Sequence, residues 1–106
     1  MADRRSGRTS KALAALPDGS IYIVTHEAQR RHCQRLMQDA GRRQQALHIV
    51  TLDEMRRGDK LRGLPRTTVL DVDHFVFESG MCSAGSEMRE HLRMWQQRYS
   101  VPRVNW

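Results

Sequence analysis

No apolar run in these 106 residues approaches the roughly 20 needed to cross a bilayer, and the amino terminus lacks the apolar segment that opens a secretory signal. The expectation is a cytoplasmic chain, or one carried inside a larger particle such as a virion. Cysteine is scarce. Cys33 and Cys82 have no companion spacing that would suggest a zinc site, so a reduced intracellular protein is expected. The hydrophobic share, 39%, is low and leaves room for one modest core. A second functional domain is not expected at this length. What the chain has in excess is positive charge: 18 Lys and Arg against 12 Asp and Glu, a net +6. That balance suits a polyanionic partner, and it bears on association rather than on fold.

The charge begins at once. Arg4, Arg5, Arg8 and Lys11 stand among Ser, Thr and Gly with almost nothing apolar, so residues 1–16 read as a basic disordered arm and residues 17–106 as a single α/β domain. Ala12 to Leu16 supply at most one turn of helix before Pro17 stops it. The turn Pro17-Asp18-Gly19-Ser20 opens the ordered part.

Two βα units follow. Ile21–Thr25 is a strand, Thr25 a candidate N-cap, and Glu27–Ala40 a helix ended by Gly41. Residues 47–52, LHIVTL, form a second strand that runs into a capping box, with Thr51 as N-cap and Glu54 three residues on. YIVTHEAQRR at Tyr22–Arg31 aligns without a gap on HIVTLDEMRR at His48–Arg57, which predicts two units of one geometry with Arg-Arg pairs on equivalent helix faces. After Gly58 and the Gly63-Leu64-Pro65 loop comes the strongest β-forming run, TTVLDV at 67–72. Phe75, Val76 and Phe77 continue the apolar run, Ser79-Gly80 breaks it, and a last helix over about Ser86–Tyr99 carries Met88, Leu92, Trp95 and Tyr99 at helical spacing. Val104 and Trp106 are candidates for folding back or for anchoring a partner.

Strands alternating with helices predict a small three-layer βαβαβα domain: a three-stranded parallel sheet in the order 2-1-3, with a C-terminal helix. In that order the carboxyl ends of the first and third strands flank a crevice, where open α/β sheets meet their ligands. Thr25, His26, Glu27, Thr51, Asp53, Asp71, Asp73 and His74 fall at such ends. Asp71, Asp73 and His74 form a candidate magnesium or manganese site, which would suit a phosphodiesterase or nuclease. Against it, acidic residues at strand ends commonly cap the next helix.

The order of motifs also carries a resemblance. IYIVTHEAQRRHCQRLMQ, LHIVTLDEM and LRGLPRTTVLDVDH together resemble the middle of a RecA-like P-loop ATPase core, as in superfamily-two helicases and phage terminase large subunits, over about residues 20–78. That resemblance implies a small phage or mobile-element protein with a nucleic-acid face. The chain departs from the family where ATP would be handled. It has no Gly-X4-Gly-Lys-Ser/Thr loop, and Val72 or His74 stands where the family has its Glu. VLDVDHFVFESG also resembles the nucleophile strand of haloacid-dehalogenase-type phosphatases, but the 28 residues after Glu78 leave no room for that family's later motifs.

The function these residues support is therefore a non-catalytic, nucleic-acid-associated protein, a RecA-like remnant needing no cofactor. Arg4, Arg5, Arg8, Arg30, Arg31, Arg35, Arg56, Arg57 and Arg62 are its candidate phosphate contacts. The alternatives are the metal-dependent enzyme and an adaptor that docks on another protein through its last helix.

Overall fold

The computed structural model describes residues 2–80, 82, 83 and 85–99, with side chains from Thr9 onward; Val104 and Trp106 lie outside the described residues. Three strands, β1 (Ile21–Val24), β2 (His48–Thr51) and β3 (Leu70–Val72), form a parallel sheet in the order β2-β1-β3. The helices are α1 (Ala2–Ala15), α2 (Glu27–Asp39), α3 (Leu52–Arg57), α4 (His74–Glu78) and α5 (Glu87–Arg98). This is the predicted α/β class and strand order. Among the described residues, no helix is long and apolar enough to cross a membrane.

Strand alternation divides the core into two. Ile21, Ile23, Val50, Leu70 and Val72 face Met55, Val76, Leu92, Trp95 and Tyr99, so α3, α4 and α5 cover one side of the sheet. Tyr22, Val24 and Ile49 face Leu13, Leu16, Cys33 and Met37, so α1 and α2 cover the other. Both faces of a parallel sheet are thereby sealed, as its unbroken apolar strands require. On the first side Trp95 Nε1 donates to the Met55 carbonyl at 3.0 Å, and the Tyr99 hydroxyl donates to the Leu61 carbonyl.

Where a basic arm is expected over residues 1–16, the structure has the helix α1. Composition alone hid two things that hold it. Thr9, Leu13 and Leu16 recur at helical spacing and are buried. Arg42, just past α2, donates its guanidinium to the Leu13 and Leu16 carbonyls and to Asp18 at 2.9 Å, satisfying the orphan carbonyls where α1 ends.

Other ends follow local chemistry. At the end of α2, Gly41 (φ 74) donates to Gln38 O and Arg42 N–H to Met37 O, the paired bonds of a Schellman motif. The capping box at Thr51 and Glu54 is present. Asp73 caps α4, so Phe75 to Phe77 turn into a helix rather than extending the strand. The N-cap of α2 is His26, whose Nδ1 accepts from Gln29 N–H, and not Thr25.

That last shift breaks the internal repeat. Sequence aligns Thr25 with Thr51, but in the sheet Val24 pairs with Thr51. Arg30 is then the fourth residue after its cap and Arg56 the fifth after its own. One residue is about 100° of helix, and α2 and α3 lie on opposite sides of the sheet, so the two Arg-Arg pairs do not form one patch.

Side chains engage backbone groups on both sheet edges. Arg30 donates to Ile49 O at 3.3 Å and Glu54 accepts from Thr51 N–H at 3.1 Å along β2, while Asp71 accepts from Val72 N–H at 2.8 Å on β3. Such edge groups would otherwise template pairing with another chain.

Candidate functional site

The expected crevice exists as a place in the fold, but its residues are used very differently from one another. Asp73 is 1% exposed at the carboxyl end of β3. Its Oδ1 accepts from the Thr9 hydroxyl at 3.0 Å and the Tyr22 hydroxyl at 2.5 Å. Its Oδ2 accepts from the Gln29 side-chain amide and from Phe75 N–H at 3.1 Å. Four donors match the roughly four lone-pair sites of a carboxylate, so a metal ion here would have to displace them. One side chain thus ties α1, β1, α2 and α4 together. Gln29 is held in turn by Thr25, whose N–H donates to its Oε1 at 2.8 Å and whose hydroxyl donates to the same oxygen.

Around that tie the other candidates separate. His74 Nδ1 lies 3.8 Å from Asp73 Oδ1, and its Nε2 is buried, with no hydrogen-bond partner among the described residues, 3.6 Å from Glu78 Oε2. Asp71 is half-buried and bonded to its own neighbour's N–H. Glu27 is exposed and paired with Arg30, and Asp53 is exposed and paired with Arg56 at 2.9 Å. Among the described residues, no three His, Cys, Asp or Glu side chains gather where they could hold a metal.

Thr9, Tyr22 and Gln29 were not expected at this site. Tyr22 was the one with a signal: a hydroxyl inside the buried run IYIV needs a partner within the fold. Burial, and then the Asp73 carboxylate, push that hydroxyl far above its ordinary 10.0. The same two causes push the Cys33 thiol from 9.0 up to about 12. In the unfolded chain both groups ionise at their ordinary values. The stability they supply is therefore whole below about pH 9 and is lost as pH rises toward and through the folded values. Urea midpoints measured from about pH 8 to 11 should fall, and less steeply in Cys33→Ala. A flat profile would contradict the burial of both groups.

Asp71 gives the opposite kind of test. Burial raises its carboxyl above 3.8, the Val72 N–H opposes the rise, and Asp73's charge adds to it. The stability Asp71 supplies is whole below about pH 3.8 and is lost as pH rises through the folded value, so at neutral pH the charge is a liability. Asp71→Asn should raise Tm at pH 7 and leave it unchanged near pH 3. A lower Tm at pH 7 would mean that the charge is needed.

The candidate phosphate contacts divide as well. Arg30 is pinned between Glu27 and Glu54, the latter at 2.6 Å. Glu54 is drawn below its ordinary range because, against the cost of burial, Lys60, the Thr51 N–H and Arg30 all favour its charge. These pairs line a groove of about 580 Å³ along β2, between Gln34, His48, Ile49 and Lys60, and leave neither cation in it free for an anion. Arg31 and Arg35 are exposed on α2. Arg56 and Arg57 share Asp53 on the other side of the sheet, and Arg62 is exposed in the loop after α3. The side chains of Arg4, Arg5 and Arg8 lie outside the described residues, although their backbone is helical.

The charge is divided between the layers. Residues 1–51, which build α1, α2, β1 and β2, hold nine cations (Arg4, Arg5, Arg8, Lys11, Arg30, Arg31, Arg35, Arg42 and Arg43) against four anions (Asp3, Asp18, Glu27 and Asp39). Residues 52–99 hold eight of each sign, two of the anions being the sheet's own Asp71 and Asp73. Residues 1–51 thus bring +5 of the net +6, and α1 and α2 themselves +4 of it. No family model matches this chain, and no curated protein or solved structure matches it.

Proposed function

We propose that this chain is a non-catalytic nucleic-acid-associated protein that meets phosphates with the outer face of α1 and α2. The separation of charge between the two layers carries this reading: the excess belongs to the α1/α2 layer, where Lys11, Arg31, Arg35 and Arg43 are exposed. Arg30 and Arg42 are excluded from the contact set because each is engaged inside the fold. Arg56 and Arg57 are excluded because they face away with α3.

The non-catalytic part rests on Asp73, whose oxygens are filled by four donors, and on the missing phosphate loop. A parallel βαβαβ core is what a stripped RecA-like relative would keep, and a phage or mobile element acting in a host cytoplasm is the setting that reading implies.

Binding to DNA should be sequence-independent and steeply salt-dependent, because phosphate contacts release counterions and carry no sequence information. Arg31→Gln/Arg35→Gln/Arg43→Gln should flatten a log-log salt titration by up to about 0.9 per lost phosphate. Arg93→Gln/Arg98→Gln, on the opposite layer, should leave it alone. Absence of binding at about 50 mM salt would end the proposal. Magnesium- or manganese-dependent cleavage lost in Asp71→Ala would overturn its non-catalytic part.

A further inference from the structure

Two contacts set the register of α1 against α2. Arg42, which follows the end of α2, grips the Leu13 and Leu16 carbonyls at the end of α1, so the two carboxyl ends are neighbours. Toward the other ends, Thr9 and Gln29 reach the two oxygens of the one Asp73 carboxylate. The helices therefore run side by side in the same direction. Gln29 is the third residue of α2 and Thr9 the eighth of α1, so α1 continues five residues further than α2 beyond the shared anchor. At 1.5 Å per residue that is an overhang of about 7–8 Å past the start of α2.

What the overhang can meet follows from its composition. Residues 2–8, ADRRSGR, hold three arginines, one aspartate and nothing more apolar than alanine. Such a segment has no apolar area with which to cover a core, enter a hydrophobic groove or sit in a lipid surface. Charge complementarity selects a polyanion. The kind of polyanion follows from a second, separate observation. Tyr22 is the only Phe, Trp or Tyr in residues 1–51, and it is 1% exposed beneath the helices. Proteins that hold single strands stack bases chiefly on exposed Phe, Trp and Tyr rings, whereas the rings exposed at the cap and on the body of α2 are the smaller imidazoles of His26 and His32. Backbone phosphates held in a fixed array, as in a duplex, need no such rings.

We infer that the α1/α2 layer takes double-stranded nucleic acid by its phosphates, with the overhang of α1 as the principal contact. This rests on the nucleic-acid reading above and goes beyond it in naming the form of the nucleic acid and the element that meets it.

The test is fluorescence anisotropy on the full chain, with a duplex of about 20 base pairs and a single strand of the same length, across a salt series. The duplex should bind several-fold more tightly than the strand. Arg4→Gln/Arg5→Gln/Arg8→Gln should lower the duplex salt slope by about 2 to 3, more than the triple change at Arg31, Arg35 and Arg43 does. Gln is a good helix former, and an unchanged far-ultraviolet dichroism and Tm would show that the overhang variant is folded. Equal affinity for strand and duplex overturns the duplex inference while leaving nucleic-acid association standing. An unchanged slope in the folded overhang variant overturns the role of α1. No binding to either probe overturns this inference and the proposed function together.

Discussion

Replacing Asp73 by alanine is expected to remove about 4 kcal/mol or more of folding stability, most of what a domain of this size has to lose. The acceptor for Thr9, Tyr22 and Gln29 disappears from a site 1% exposed, and each buried donor left without a partner costs about 1–3 kcal/mol. The cap of α4 goes with it, for about another 1 kcal/mol. Asp73→Asn should be much milder. The Thr9 and Tyr22 hydroxyls can turn from donors into acceptors and receive the new amide N–H groups, while the remaining oxygen still faces Gln29 and Phe75. Urea unfolding followed by tryptophan fluorescence would read both variants. An alanine variant that lost less than about 1 kcal/mol would show that Asp73 is not the tie between the layers. The pair also separates roles, because a metal-ligating Asp73 would lose activity in the asparagine variant while the fold survived.

Gly58→Ala should cost about 2–4 kcal/mol, through two effects that can be measured apart. Gly58 ends α3 in the left-handed region, at φ 78, with its N–H on the Glu54 carbonyl at 2.9 Å. Any other residue there bears about 1–2 kcal/mol of backbone strain. A Cβ at this position would also stand 2.8 Å from Trp95 Cζ2. That ring cannot easily yield, since its Nε1 is bonded to Met55 O and its face lies on Tyr99, with centroids 6.2 Å apart. Gly41 is the control: it has φ 74 at the end of α2, but a Cβ there would meet nothing within 4 Å. Gly41→Ala should therefore show the strain alone. With about 4–8 °C of Tm per kcal/mol in a domain this small, the difference between the two variants should be plain in a thermal scan. Equal losses would mean that Trp95 moves aside.

The sequence by itself determined the elements that rest on neighbouring residues. IYIV and HIVT read as strands because apolar, β-branched runs bounded by turns have few other uses, and Thr51-Leu52-Asp53-Glu54 closes its own capping box. Gly41 ends α2 through bonds made within six residues. Alternation and the chirality of crossovers led to a parallel sheet but allow more than one strand order; the preferred order, 2-1-3, is the one in which successive helices cover opposite faces, as α2 and α3 do. Residues 1–16 were different. Their arginines argue for a solvated arm, and only docking of Thr9, Leu13 and Leu16 in the fold, with Arg42 closing the end from 26 to 29 positions away, makes a helix of Ala2–Ala15. The choice of His26 over Thr25 as cap was likewise decided at a distance, because Thr25 is engaged by Gln29, which is itself held by Asp73. Asp73 shows the limit most clearly. An aspartate at a strand's end reads alike whether it faces solvent, a metal or four buried donors, and which of these it meets depends on partners 44 to 64 residues away in the chain. Local sequence specifies what a residue can bond, while tertiary packing decides which bonds are left to be made.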